Sequence, residues 1–271
     1  MKKKSVRVSG ILLLAFTFPA IGWVSIKKSD LNLTNKAAEV SAKPLTKANS
    51  NADLFYQHVN SVYNQAALAK AGLDQNLFTK ALIGYYNLKK TQLLSTQKSI
   101  LTIIDFSKKS SEKRLWIIDL ENSRLLFNTL VAHGRGSGMD LATSFSDQPN
   151  SHKSSLGFYV TSETYIGKHG LSMRLDGLDK GFNSNAKERA VVIHGADYVS
   201  QAFVNQTGRL GRSHGCPALP VDLTKTIINV IKGQTALFIS GPSDQYKSEF
   251  LNQNMAVANF ISFGDKVQAS I

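Results

Sequence analysis

The sequence predicts an α+β protein, a mainly antiparallel, sandwich- or barrel-like β domain behind an α-helical lead-in. Three observations carry this expectation. Between residues 99 and 241, short runs rich in β-branched and aromatic residues alternate with polar turns. Two segments before residue 99 place apolar residues at helical spacing. No G-x-G-x-x-G motif follows a strand and opens a helix, and no phosphate-binding P-loop occurs, so a doubly wound parallel sheet is not expected.

The chain begins with Lys2, Lys3, Lys4 and Arg7, then the apolar run "ILLLAFTF" and Pro19. Residues 1–26 read as a signal peptide, with small residues at Ala20-Ile21-Gly22, or as an uncleaved membrane anchor. Either reading puts the protein outside the cytoplasm, in the periplasm or cell envelope. Residues 27–50 are polar, without an apolar period, and read as a flexible linker. Residues 51–98 form the helical lead-in. Phe55, Val59, Val62 and Tyr63 recur at helical spacing within 52–73, as do Phe78, Leu82, Tyr85 and Tyr86 within 74–90, where Asp74 is the expected N-cap.

Expected strands follow at 100–106, 114–120, 125–134, 156–165, 170–178, 189–195 and 235–241. One late helix is expected at 221–233, burying Leu223, Ile227, Val230 and Ile231 and ending at Gly233. Residues 242–271 read only as a C-terminal extension. The net charge of +13 is concentrated in front: residues 1–110 hold 16 Lys/Arg against 5 Asp/Glu, and residues 111–271 hold 16 against 14. A basic front end suits an anionic membrane or wall surface. No basic stripe interleaved with aromatics occurs, which argues against nucleic acid.

The chain has one cysteine, in "GRLGRSHGCPALP" at 208–220. A lone cysteine cannot form an internal disulfide, and in an oxidising compartment an unpaired thiol is a liability unless it has a task. The alternative is a small buried hydrophobe. A nucleophilic Cys216 needs a base and donors for an oxyanion. Gly215 leaves room for a carbonyl, so the amides of Gly215 and Cys216 are candidate donors. The N-terminus of the helix starting near Pro220 is expected to help lower the thiol pKa. Among six histidines, His58 reads as structural and His152 as solvated, while His133 and His169 sit at turns. His214 lies two residues from Cys216, and His194 ends the most apolar strand, a placement that suits a general base. A zinc site of His194, His214, Cys216 and His169 is the rival reading, but the paired spacing usual for structural zinc is missing.

"IHG" at 193–195, "SHGC" at 213–216 and the strand "LGFYVTS" after "SHKSS" together resemble the L,D-transpeptidase (YkuD-type) catalytic domain, over roughly residues 99–241. The resemblance implies an exported, peptidoglycan-remodelling cysteine acyltransferase. Cys216 would attack the carbonyl of the third stem-peptide residue, D-alanine would leave, and the acyl-thioester would pass to an amine of another stem. His194 would carry the proton. His214 and Gly215 complete the implied catalytic set, and Ser213, Arg212, Gly195 and His169 the substrate-binding set; a Gly195 carbonyl would orient either His194 or His214. No metal or other cofactor is implied. Three departures from the family pattern stand out: Ala218 where an arginine is common, a His194–Cys216 interval of 22 residues, a few longer than usual, and no recognisable wall-binding repeat domain. An L,D-carboxypeptidase using water is one alternative. A non-catalytic wall-binding module is the other.

Overall fold

The computed structural model describes residues 50–268. The expected signal or anchor segment and nearly all of the linker lie outside the described residues. Helix α1 (Asn51–Gln65) starts at a capping box: the Ser50 hydroxyl accepts from Asp53 N–H, and the Asp53 carboxylate accepts from Ser50 N–H. It stops eight residues short of the expected end, because Ala67 turns to φ +51 and the chain reverses before α2 (Gln75–Lys90), capped by Asp74 as expected.

The strands follow in chain order: β1 (Ile100–Asp105), β2 (Leu115–Asp119), β3 (Arg124–Thr129), β4 (Gly157–Gly167), β5 (Gly170–Gly177) and β6 (Val192–Gly195). Then come α3 (Gln201–Thr207), β7 (Ala218–Leu219), α4 (Val221–Ile231), β8 (Ala236–Ser240) and α5 (Gln253–Gln268). One sheet runs β3-β2-β1-β8-β4-β5-β6-β7. Its pairings are antiparallel except β1 with β8 and β6 with β7. The expected strand over 125–134 ends at Thr129; beyond it only single bridges at Ala132 and Gly134 continue toward the Cys216 loop. Among the described residues no helix is long and apolar enough to cross a membrane.

Alternation along the strands splits the core in two. Leu101, Ile103, Phe158, Val160 and Phe238 face a cluster with Phe55, Phe78, Leu82 and Tyr86 of α1 and α2. Ile104, Tyr159, Leu237 and Ile239 face Ile227, Ile228 and Ile231 of α4 on the other side. The lead-in is integral to the first layer: Trp116 of β2 is fully buried and its Nε1–H donates to Ala71 O at 2.9 Å. Helix α5 completes that layer. Asn87 of α2 donates to the Phe250 and Asn252 carbonyls and accepts from Asn259, and Phe260 packs edge-on to Phe55. Neither α3 nor α5 was expected. The run "QNMAVANFISFGDK" lacks a clean apolar period because it buries Asn259 and carries a glycine.

Candidate active site

The site is built where the β6 end meets the loop before β7. Parallel pairing sets His194 beside Ala218 and Gly195 beside Leu219, so the chain two residues before β7 arrives next to the end of β6. Bridging of Ala132 to Ala218 and of Gly134 to Ser213 fixes the other side of the loop. Within it, the Ser213 hydroxyl accepts from Gly215 N–H at 3.0 Å and donates to Cys216 O at 2.6 Å. Gly215 has φ +122, and a Cβ there would sit 2.8 Å from Lys153 O. Gly134 is as tightly held: a Cβ would sit 2.4 Å from His152 O. Both positions therefore require glycine.

Cys216 is half-buried at a cavity of about 510 Å³ shared with His169, His194, Tyr198, Arg212, Ser213 and His214. Its sulfur accepts from Val192 N–H at 3.4 Å, and the thiol donates to Ala190 O at 3.7 Å. Burial pushes the thiol pKa up, against the lowering influence of the Val192 N–H and the Arg189 guanidinium. The expectation of a thiol acidified by the helix at Pro220 is thus corrected: desolvation dominates, and the nearby positive charge comes from Arg189. The donor expectation changes too. Gly215 N–H is taken by Ser213, which leaves Cys216 N–H, without a partner among the described residues.

His194 is buried, and its Nδ1 lies 2.9 Å from Gly195 O. A carbonyl only accepts, so Nδ1 carries the hydrogen and Nε2 is the basic nitrogen. Burial lowers the His194 pKa, the Gly195 carbonyl opposes this, and His169 and Lys168 add to the lowering. The imidazole is accordingly neutral at neutral pH. His169, on the two-residue turn between β4 and β5, stacks on His194 with ring centroids 4.5 Å apart. His214 is exposed, 4.5 Å from the His152 ring; slight desolvation and the charges of Arg135, His152 and Lys168 lower its pKa. Arg212 Nη1 donates to Gly138 O at 2.9 Å and also meets Met139 Sδ at 3.1 Å.

Every sequence-predicted site residue thus lines this cavity or, for Gly195 and Gly215, adjoins a residue that does. Arg189 is the residue that sequence reasoning missed. Its side chain is only 4% exposed and lies 3.9 Å from Asp147. Nη1 donates to Ser146 O at 2.8 Å, and Nη2 to Lys153 O at 2.7 Å, under Gly215. Nothing in "AKERAVV" separates this arginine from a surface charge. Tyr198 was also missed; burial and the nearby Cys216 raise its pKa to about 12. The cavity lining contains Lys168, Arg189 and Arg212 and no carboxylate. Among the described residues no three His, Cys, Asp or Glu side chains converge to hold a metal ion, so the zinc reading has no ligand set here.

The YkuD_2 model of the L,D-transpeptidase catalytic domain matches residues 69–240. No curated protein matches the sequence. Solved structures that are similar include an L,D-transpeptidase from Mycobacterium smegmatis, with 12% identity, 53% of this chain and 59% of that one covered, and a TM-score of 0.34. Another is the helical cell shape determining protein Pgp2 from Campylobacter jejuni, with 11% identity, 69% and 64% covered, and a TM-score of 0.40. L,D-transpeptidase 1 from Mycobacterium tuberculosis gives 11% identity, 54% and 63% covered, and a TM-score of 0.30. The chain spans about three-fifths of the length of these structures. With a family model covering 69–240, from the turn after α1 to the last residue of β8, the chain belongs to the L,D-transpeptidase catalytic-domain family.

Proposed function

We propose that this protein is a peptidoglycan-remodelling cysteine acyltransferase, a murein L,D-transpeptidase that works outside the cytoplasm. The observation that carries the reading is one cavity lined by Cys216 and by a neutral His194 whose Nδ1 is tied to Gly195 O. Family membership supplies the substrate class, stem peptides of peptidoglycan. The cavity suits them chemically, because a cationic lining without carboxylates favours a peptide that carries carboxylates.

The resting nucleophile is a thiol, not a pre-formed thiolate, because burial raises its pKa. Attack therefore begins when the S–H leaves Ala190 O and passes its proton to His194 Nε2. The sulfur bonds to the carbonyl carbon of the third stem residue, and the carbonyl π pair becomes an oxyanion beside the Cys216 N–H. Collapse breaks the peptide C–N bond. His194 returns its proton to the departing D-alanine amine, leaving a thioester on Cys216. An amine of another stem then attacks the thioester carbonyl, gives a proton to His194, and expels the thiolate, which takes that proton back. Arg189 holds a fixed positive charge near the sulfur in the ionised steps, and Arg212 faces the stem carboxylate.

The test is incubation with tetrapeptide stems. D-alanine release, a thioester mass on Cys216 and crosslinked dimers are expected. Tripeptide monomers instead of dimers would identify water as the acceptor, and an unmodified Cys216 in folded protein would overturn the reading.

A further inference from the structure

The acyl-transfer chemistry leaves one buried pair unused. Arg114 Nη2 lies 2.8 Å from His133 Nδ1, and both residues are fully buried. A guanidinium has only donors, so Nδ1 accepts and the neutral ring carries its proton on Nε2. That nitrogen faces Gly138 O at 3.4 Å, the same carbonyl that accepts Arg212 Nη1 at 2.9 Å. The His133 main chain reaches the nucleophile loop directly: its carbonyl accepts Ser213 N–H at 3.0 Å, and Arg135 N–H donates to Ser213 O at 2.8 Å.

The rest of Arg114 is spent on main chain. Nε and Nη2 donate to Val131 O, and Nη1 donates to Lys108 O. Its guanidinium carbon lies over the Phe106 ring, 4.9 Å from the centroid. Among the described residues no carboxylate comes within ion-pair distance of it. Burying a cation is costly, and the Asp140, Asp105 and Glu112 charges act on Arg114 only from beyond ion-pair distance. The arrangement does, however, give a fixed direction to the Gly138 carbonyl, which accepts from Arg212 of the cavity lining.

We propose that Arg114 and His133 are positioning residues for substrate recognition. They fix the Gly138 carbonyl and, through it, aim the Arg212 guanidinium into the cavity at a carboxylate of the stem peptide. This inference rests on the acyl-transfer reading above.

H133F keeps a ring of similar size but can neither accept from Arg114 nor donate to Gly138. With stem tetrapeptides offered as free acids, H133F is expected to raise KM about tenfold, the size of a lost charge-assisted contact. The kcat should stay within about twofold, and the KM for the carboxamide forms should not change. R212A should produce the same shift, and H133F/R212A no further one. Additive shifts, or a fall in kcat alone, would overturn the proposal. If the unaltered protein does not turn over stems, the acyl-transfer reading fails and nitrogen NMR decides the network separately; it also decides if H133F does not fold. His133 is expected to be neutral at pH 7 with its proton on Nε2, and R212A should move the Nε2 resonance. A proton on Nδ1, or no response to R212A, would sink it.

Discussion

Two regions of the molecule meet opposite surroundings: one face of the sheet, and the loop system beside its β6–β7 edge. Near α1, α2 and α5, Trp116, Phe78 and Phe158 are buried among other hydrocarbon, and polar groups such as the Trp116 N–H and Asn87 are satisfied one by one. Beside the Cys216 loop, buried side chains include His194, the Arg189–Asp147 pair and the Arg114–His133 pair. The first region gains stability from transfer of apolar area, about 25 cal/mol per Å². The second loses free energy through desolvated charges and recovers it only where hydrogen bonds are complete. A large core evidently carries a costly site, so substitutions should separate the two: core changes should move stability, and rim changes should move chemistry.

The sharpest break is Cys216→Ala. It should reduce turnover of stem tetrapeptides by about a thousandfold or more and leave the melting temperature within about 2 °C. A large fall in stability would make Cys216 a core residue and erase the contrast.

The reverse result is expected at Phe78, which is fully buried. Phe78→Ala should cost about 3–5 kcal/mol in denaturant unfolding. The alkylation rate of Cys216 in the folded fraction should not change. A changed rate would mean that the helical layer shapes the site.

A third outcome sharpens the comparison through pH. Burial and Arg114 lower the His133 pKa to about 4, from 6.5. The unfolded chain therefore binds the extra proton first, and stability present above pH 6.5 is lost as pH falls toward 4. The loss should be on the order of 2–3 kcal/mol in unfolding measurements, and smaller in His133→Gln. An equal loss in both proteins would place the acid sensitivity elsewhere.

The smallest effect is expected at Arg189. Arg189→Met removes the positive charge that opposes desolvation of the thiol. The Cys216 pKa should rise further, and alkylation at neutral pH should slow about tenfold, the equivalent of one pKa unit. An unchanged pH profile would remove Arg189 from the electrostatics of the sulfur.

What could be read without coordinates divides along the same line. Strands such as β1 and β8 announce themselves, because alternating positions enter two apolar layers and select β-branched and aromatic residues. Asp74 and Gly233 mark helix ends because the chemistry of a cap is local; Gly233 adopts φ +88 just past the α4 cap at Lys232. Cys216, His194, Ser213 and Gly215 were legible because their short motifs carry their own geometry. By contrast, α5 hides in a run whose buried face includes Ala256 and Asn259, and β7 is only two residues long.

The sequence by itself determined the fold class and the family and singled out Cys216 and His194 as candidate site residues, since these depend on side-chain period and on short motifs. Only the tertiary structure decided that Arg189 lies under Gly215, that Arg114 meets His133, and that burial raises the Cys216 pKa. Desolvation and charge act through space at a few ångströms, between residues such as Arg114 and Arg212 that are far apart along the chain, so linear order carries no record of them.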